Sequence, residues 1–429
     1  MINLNELESF FMAEKPKAPV QEYFTSGCTL MDLLLGGEKG VLGFPFGRIL
    51  DITGDKSSGK SFLKNEFIAN SYYKYGERFK WFADDTETGD TFDSSKLYGF
   101  NIHPDGRKLA NRSVTDSNTI EELDAHVTLM CDGMSDGEVG IYAVDSIDGI
   151  SDKHREEKSE HRAGQLKQNV EVKDAGDYGA QLAKFLSQEF FPTQHIPLKN
   201  KNCALILINQ IRENFGTTGY GPNWKITGGK ALDFYFHTQL FLKTVCKLGK
   251  NGQPVSPSDG IPVGAYVKAT STKAKTARPY RTIWYTVWFN YGIDNIRTSI
   301  DYLFDLRDSS GKLKVGPINW DGKPEPSLKN LTQCLEENGW KDACRDAKKA
   351  AGQGSVLSVD YITSWIKENH PDKWKEFFGE PYSYDDLVSA IENSPEMEAE
   401  LTRRVIDKWE AKEDAANPVA GRKPRFPMK

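Results

Sequence analysis

The sequence contains no long apolar run. A membrane-spanning helix needs about 18 or more consecutive, mostly apolar residues. Only 38% of the residues are hydrophobic, and no run reaches that length. Residues 1–7 are acidic and have no apolar core of the kind found in a signal peptide. We therefore expect a soluble cytoplasmic protein with no membrane partner.

Cysteine motifs are also lacking. The six cysteines are scattered, with no C-x-x-C pair and no histidine cluster beside them. This spacing excludes the common zinc and thiol-redox motifs and is typical of reduced cytosolic thiols. The net charge of −6 excludes a general polycation. It leaves room for a local positive groove that binds nucleic acid, because such binding depends on how charge is distributed.

The sequence does contain a complete phosphate-binding loop of the form G-x-x-x-x-G-K-[ST]. A strand pattern precedes it at residues 48–53 and a helical pattern follows at 62–69, as the motif requires. This context disfavours the alternative of a glycine-rich turn with a chance lysine. In this motif the backbone wraps a triphosphate, the lysine reaches the β/γ-phosphates and the serine ligates Mg²⁺. We therefore predict binding of ATP and Mg²⁺, with the nucleotide held by Gly54, Asp55, Lys56, Ser57, Ser58, Gly59, Lys60 and Ser61.

The order of strand and helix patterns predicts an α/β fold. Nearly continuous apolar runs are typical of parallel strands buried on both faces, and here they alternate with stretches of helical spacing. We expect a mostly parallel, doubly wound sheet with its ligand at the carboxyl ends of the strands. The parallel strands are predicted at 48–53, 79–83, 139–144 and 203–208, and an antiparallel extension at 237–245, 265–271 and 282–289.

The length of 429 residues suggests two domains. Composition changes after about residue 301, where Gly, Pro and Lys become frequent before helical spacing returns at 361–369 and 384–409. We predict an N-terminal segment that could contact a neighbouring protomer (1–26), an ATPase core (27–306), a linker or small hairpin (307–355), a small helical C-terminal domain (356–412) and a basic tail (413–429).

Several motifs occur in one order along the chain. They are Gly27–Gly37, the P-loop, Asp85-Thr86-Glu87, Val144-Asp145-Ser146, Ile208-Asn209-Gln210-Ile211-Arg212 and Thr227–Tyr235, which reads T-G-G-K-A-L-D-F-Y. Together they resemble the RecA-type recombinase family over about residues 26–306. The resemblance implies a RecA-like P-loop ATPase core with a small α-rich C-terminal domain. The basic tail and a weakly matching N-terminal segment point to a phage-type or divergent relative in a bacterial or phage-infected cytoplasm.

The catalytic residues are expected around the P-loop lysine, Lys60. Attack on a γ-phosphate needs an oriented water, a metal and charge neutralisation. Glu87, at a strand end, is suited to orient the water, although Asp84 or Asp85 in the same acidic turn could do so instead. Asp145 follows a buried strand and is expected to hold Mg²⁺ opposite Ser61, with a helix N-cap as the alternative role.

The resemblance gives two further catalytic expectations. It implies that Gln210 senses the γ-phosphate, the alternative being a polar strand terminus. It also implies that Lys273 and Lys275 match the family's K-x-K pair, which reaches across a filament interface to a neighbour's ATP. Two residues apart on a strand, these lysines point to the same side. Two solvated lysines on an edge strand are the alternative.

A glycine-rich segment at 215–229 carries aromatic residues. The resemblance implies that it enters DNA, with Tyr220 wedged between bases and glycine N–H groups on phosphates. Trp224 departs from the family and would add a stacking surface worth roughly 1–3 kcal/mol per base; packing of both aromatics on the domain surface is the alternative. Residues 151–177 correspond to the family's first DNA loop, but their mixed charge fits a solvated loop equally well. The predicted DNA-binding residues are Arg212, Tyr220, Trp224, Lys225, Gly228 and Gly229.

Together these expectations describe a DNA-dependent ATPase that forms filaments on single-stranded DNA and pairs it with homologous duplex DNA. ATP would lie at the interface between protomers of a helical homo-oligomer. One rival is a RecA-fold motor of another kind, such as a ring helicase or a regulatory ATPase, since fold alone does not separate these. The other is a scaffold that binds ATP and DNA with little turnover.

Overall fold

The computed structural model describes residues 21–36, 40–87, 89, 94–151, 183–213, 224–226, 234–256, 258, 260–314, 316–322, 363–364, 367–379 and 381–416. The predicted N-terminal contact segment lies almost wholly outside these residues, as do most of the predicted linker and tail. Among the described helices, none is long and apolar enough to cross a membrane.

A nine-stranded sheet forms the centre of the described part of the chain. The sheet strands are β3 (Ile49–Gly54), β4 (Phe79–Asp84), β7 (Val139–Val144), β8 (Cys203–Glu213), β9 (Trp224–Ile226), β10 (Thr238–Leu248), β11 (Gly264–Ala274), β12 (Thr282–Trp288) and β13 (Gly292–Ile293). Their main path runs β13-β12-β11-β10-β3-β8-β7-β4, and β9 pairs with β8 off that path. The described residues also contain two short strand pairs outside this sheet, β1 (Tyr23–Phe24) with β2 (Phe44–Pro45) and β5 (Lys108–Leu109) with β6 (Arg112–Ser113).

The sheet has a parallel half and an antiparallel half, which confirms the predicted fold class. Strands β10, β3, β8, β7 and β4 pair in parallel, whereas β10, β11, β12 and β13 pair antiparallel. All six residues of β3 and of β7 are buried, as expected for strands covered on both faces.

Helices cover both faces of the sheet. Along β8 successive residues alternate between two hydrophobic clusters, Ala204 and Ile206 in one and Leu205 and Leu207 in the other, because side chains of a strand point alternately to opposite faces. The α-helices of the described residues are α1 (Thr29–Leu35), α2 (Lys60–Tyr75), α3 (Ser95–Tyr98), α4 (Ile120–Gly133), α5 (Phe191–Asn200), α6 (Asn295–Leu303), α7 (Pro371–Phe378), α8 (Tyr384–Glu392) and α9 (Pro395–Ala415).

The C-terminal helices α8 and α9 pack directly on the core that contains the nine-stranded sheet. Val405 and Trp409 of α9 belong to the same hydrophobic cluster as Leu30 of α1 and Ile300 of α6. The guanidinium of Arg281 lies 5.5 Å from the Trp409 ring centre. Helix α9 continues to Ala415, so the first residues of the predicted tail are helical. The predicted domain boundaries otherwise stay predictions.

Candidate functional site

The carboxyl ends of four parallel strands meet at one edge of the sheet. Gly54, at the end of β3, pairs with Gln210 of β8. Val144, at the end of β7, pairs with Leu207 of β8 and with Asp84 of β4. Motifs separated by more than 150 residues in the sequence therefore lie together, at the edge where open α/β sheets bind ligands.

The P-loop has the backbone shape that its glycines allow. A Cβ on Gly54 would lie 2.2 Å from the carbonyl oxygen of Leu242, so only glycine fits at the start of the loop. Ser57 and Gly59 adopt positive φ angles of 59° and 86°, which turn the chain into the N-terminus of α2 at Lys60. The first N–H groups of a helix have no intrahelical acceptor, and this geometry directs them into the loop.

Lys60 lies across the concave side of the loop. Its Nζ donates to the carbonyl oxygens of Gly54 at 3.1 Å and Asp55 at 2.9 Å. Burial lowers the pKa of Lys60, and nearby carboxylates oppose that shift. Because the Lys60 ammonium group donates to backbone carbonyl oxygens, it can donate to phosphate oxygens instead when a nucleotide binds. The opposing carboxylates belong to Asp145, Glu87, Asp148 and Asp55.

The loop fits a phosphate ligand. Ser58 Oγ is buried and has no hydrogen-bond partner among the described residues, so the loop holds a polar atom that a ligand oxygen could satisfy. Ser61, the second residue of α2, is exposed at the mouth of the site. Its hydroxyl and the Asp145 carboxylate are oxygen ligands of the kind that Mg²⁺ prefers.

Three carboxylates lie at the carboxyl end of β4 or just after it, and their contacts differ. Asp84 is buried and accepts hydrogen bonds from the backbone N–H of Ser117 at 2.8 Å, from its hydroxyl at 2.7 Å and from the Tyr142 hydroxyl at 2.7 Å. Burial raises the pKa of Asp84, and these hydrogen bonds oppose the rise. The hydrogen bonds of Asp84 therefore connect β4 to β7 and to the segment before α4.

Glu87 faces the P-loop side of this edge. Its Oε1 accepts a hydrogen bond from Gln210 Nε2 at 2.7 Å and another from the Ser146 hydroxyl. Asp85 instead accepts from the backbone N–H of Gly89 at 3.2 Å, within its own turn. The structure thus brings Glu87, Gln210, Asp145 and Lys60 together, as the sequence predicts, while their chemical roles stay predictions.

Two further charged residues, Asp148 and Lys64, lie at this edge and are not among the predicted site residues. Asp148 accepts a hydrogen bond from the backbone N–H of Gln210 at 2.7 Å. Lys64, in α2, places its Nζ 3.1 Å from Asp145 Oδ2. A signal for Lys64 was available, because a lysine four residues after Lys60 lies on the same face of the helix. Asp148 gave no signal beyond following a motif aspartate by three residues.

Lys273 and Lys275 lie at the end of β3 and β10 that is opposite to the P-loop. Thr238, at the start of β10, pairs with Leu50 of β3 and Ala274 of β11, whereas Gly54 pairs with Leu242 further along β10. Four residues of strand, about 13 Å, therefore separate the lysine pair from the P-loop of the same chain. Lys275 Nζ donates to the carbonyl oxygen of Phe234 at 2.6 Å.

His237 marks the same end of the sheet. Its Nδ1 accepts the backbone N–H of Ile49 at 3.2 Å. Burial lowers the pKa of His237 to about 4, and neighbouring positive groups add to that shift. The imidazole is therefore neutral at pH 7, with the positive charges of Arg48, Lys275 and Lys273 nearby.

The second predicted DNA loop lies next to an extension of the sheet in which the end of β8 pairs with β9. Strand β8 runs to Glu213, five residues beyond its predicted end, because β9 pairs with it. The register opposes Arg212 to Lys225 and Glu213 to Trp224. Tyr220, Gly228 and Gly229 lie outside the described residues, as does most of the first predicted DNA loop.

Comparison with known proteins supports one family. The family model of the RecA N-terminal domain matches residues 162–294. Protein RecA of Sulfurovum sp. (strain NBC37-1) is 31% identical over 361 residues, which cover 81% of this chain and 89% of that protein. Protein RecA of Wolinella succinogenes is 29% identical over 359 residues, covering 82% and 88%. That of Helicobacter hepaticus is 29% identical over 291 residues, covering 67% and 72%. The chain belongs to the RecA family.

Proposed function

We propose that this protein is a DNA-dependent ATPase that assembles on single-stranded DNA as a helical filament and pairs that strand with homologous duplex DNA. The observation that carries the proposal is the contact between Glu87 and Gln210. Gln210 lies in β8, whose extension with β9 leads into the segment expected to contact DNA. The carboxylate expected to orient water is thus joined to the base of the DNA segment.

In this proposal Lys60 and the N–H groups of the P-loop bind the β/γ-phosphates. Mg²⁺, when bound, would neutralise phosphate charge, and Ser61 and Asp145 are the residues that would hold it. Glu87 orients the attacking water and accepts its proton as the bond between the γ-phosphorus and the leaving oxygen breaks. Gln210 leaves Glu87 for the γ-phosphate and so transmits nucleotide state to the DNA segment.

The lysine pair suits action on a neighbouring molecule. Lys273 and Lys275 are about 13 Å along the strands from the P-loop of their own chain, at the opposite end of β3 and β10. A neighbour stacked against that end of the sheet would present its own P-loop to the lysines. The proposal therefore places ATP between protomers, with both chains contributing charge to one site.

An ATPase assay with and without single-stranded DNA, together with electron microscopy of the same mixtures, tests the proposal. We expect DNA-stimulated hydrolysis and ATP-dependent filaments in the wild type, and neither in Lys60→Ala. Rings on DNA would support the helicase rival instead, and DNA binding without turnover would support the scaffold. Exchange of a fluorescent strand between homologous DNAs would then separate a recombinase from another filament-forming ATPase.

A further inference from the structure

Lys64 is a buried cation inside the predicted metal site. Its side chain is 0% exposed, and its Nζ lies 3.1 Å from Oδ2 of Asp145, whose side chain is 14% exposed. Lys64 stands one helical turn after Lys60 on α2, so both ammonium groups project from one helix face towards the strand ends. The P-loop motif prescribes only the first of these two lysines.

A lysine is rarely buried without a reason. Removing an ammonium group from water is costly, and the cost is offset only by a paired charge and good hydrogen bonds. An apolar side chain would fill the same space in α2, where neighbours such as Leu63 and Phe67 are buried. The presence of Lys64 therefore indicates that charge at this position is useful, and its ammonium group contacts the carboxylate expected to serve Mg²⁺.

The electrostatics of the site explain what that charge does. The carboxylates of Asp145, Glu87 and Asp148 all act on Lys60, so the edge that must receive an anionic triphosphate is itself acidic. Like charges a few ångströms apart repel each other strongly near a protein surface. An unpaired Asp145 would therefore repel phosphate oxygens strongly until a divalent cation intervened.

We propose that Lys64 is a positioning residue that acts as a built-in counter-ion of Asp145. It holds the carboxylate in place and cancels its charge, so the nucleotide can bind before the metal, and the metal binds weakly until the nucleotide has arrived. The inference rests on the proposed function insofar as it takes Asp145 as the residue that serves Mg²⁺. It adds to that function an order of binding that the P-loop motif does not prescribe.

Two binding measurements on purified full-length protein test the inference. In the first, the protein's affinity for a fluorescent ATP analogue is measured once in the presence of Mg²⁺ and once in the presence of EDTA. In the second, Mn²⁺ binding to nucleotide-free protein is followed by electron paramagnetic resonance. In Lys64→Met we expect metal-free nucleotide affinity to fall about tenfold or more, and nucleotide-free Mn²⁺ affinity to rise by a similar factor, as loss of one nearby charge implies. Affinity for the nucleotide with Mg²⁺ should change much less.

Matched variants separate charge from packing. Lys74→Met removes an exposed lysine from the same helix and should change neither affinity. Lys64→Arg keeps the charge and should restore much of the metal-free binding. If Lys64→Met does not fold, Asp145→Asn is compared with Lys64→Met/Asp145→Asn. In Asp145→Asn no carboxylate at position 145 opposes the Lys64 ammonium group. This variant should then bind metal-free nucleotide about tenfold more tightly than the double variant.

The outcomes are distinct. Metal-free nucleotide affinity and Mn²⁺ affinity that do not depend on residue 64 would overturn the counter-ion role and leave Lys64 as a packing residue. A wild-type protein that binds no nucleotide even with Mg²⁺ would instead refute the proposed function. In that case the Mn²⁺ measurement on nucleotide-free protein still decides whether Lys64 shields Asp145.

Discussion

Gln210 Nε2 donates a hydrogen bond of 2.7 Å to Oε1 of Glu87, across 123 residues of sequence. The backbone N–H of the same glutamine donates to Asp148 at 2.7 Å. Gln210 is thus held at both ends, by the carboxylate expected to orient water and by a residue close to the first predicted DNA loop. Any movement of Gln210 towards a phosphate must break the contact with Glu87, which is how we expect nucleotide and DNA to be coupled.

The first prediction distinguishes Asp84, the last residue of β4, from Glu87, which follows that strand. Glu87→Gln should reduce ATP hydrolysis by about 10²–10⁴-fold while nucleotide binding persists, because the amide cannot accept a proton from water. Asp84→Asn should instead lower thermal stability, since the buried Asp84 carboxylate accepts three hydrogen bonds and an amide can reproduce only part of them. Steady-state hydrolysis and thermal unfolding of both variants check this. Loss of turnover in a stable Asp84→Asn with normal turnover in Glu87→Gln would reverse the assignment.

The second prediction concerns Asp148. Asp148→Ala removes the acceptor of the Gln210 N–H and should weaken stimulation of hydrolysis by DNA by about tenfold, the effect of a lost hydrogen bond to a charged group. Asp148→Asn keeps an acceptor oxygen and should recover most of the stimulation. The ratio of rates with and without DNA is the measurement. Equal ratios in the two variants would show that the carboxylate does not position Gln210.

Much of this architecture could be predicted because short sequence patterns determine many of its strands, loops and helix ends. Nearly continuous apolar runs predict β7 and the first half of β8, a short strand pattern before the P-loop predicts β3, and each of these strands leads into a residue of the site. The P-loop follows from eight consecutive residues. Even the break between α8 and α9 has a local signal, since Ser394 caps α9 and Pro395 occupies its first position. Apolar spacing alone predicts one helical stretch at 384–409.

What could not be predicted depends on contacts distant in sequence. Strand β8 continues to Glu213 because β9 pairs with it, and no local pattern reveals that pairing. Asp84 and Glu87 are chemically similar and three residues apart, so only their donors distinguish them. Whether Lys64 faces solvent or a carboxylate depends on how α2 sits against β7, which periodicity alone does not give.

The third prediction concerns the aromatic residues of the second predicted DNA loop. Tyr220→Ala and Trp224→Ala should each weaken single-stranded DNA binding by about 1–3 kcal/mol, the value of stacking on one base. The dependence of affinity on salt should keep most of its slope, because that slope counts phosphate contacts. Fluorescence anisotropy at several salt concentrations measures both quantities. Tyr291→Ala, at an exposed tyrosine elsewhere, is the control; equal affinity in all three variants would assign the loop aromatics to surface packing.

The fourth prediction is a pH dependence of stability due to His237. Its pKa in the folded protein, about 4, lies below the ordinary value of 6.5, so the unfolded chain binds a proton between these values and the folded protein does not. Stability should therefore fall as pH decreases from 6.5 towards 4, by on the order of 2–3 kcal/mol at most from this residue. His237→Asn keeps an acceptor for the Ile49 N–H without titrating and should reduce that loss. Melting temperatures from pH 8 to pH 4.5 test this, and parallel curves for both proteins would contradict it.

The fifth prediction tests assembly and chemistry together through Lys273 and Lys275. The double variant Lys273→Ala/Lys275→Ala should still bind ATP, because its own P-loop is intact and lies at the opposite end of the strands. DNA-stimulated hydrolysis should fall by roughly 10³-fold or more, the scale of a cationic group supplied in trans to phosphoryl transfer.

Mixing then distinguishes action within a chain from action between chains. The lysine variant and Glu87→Gln, each inactive alone, should recover part of the activity when they assemble together on DNA. Some interfaces would pair an intact Glu87 site on one protomer with intact lysines from the next. Arg278→Ala serves as the control, because it removes a positive charge from an exposed residue three positions after Lys275 whose guanidinium lies 3.4 Å from Glu413. A mixture that stays inactive despite demonstrated co-assembly, or a lysine variant that hydrolyses ATP normally by itself, would show that the two lysines do not complete a neighbour's site.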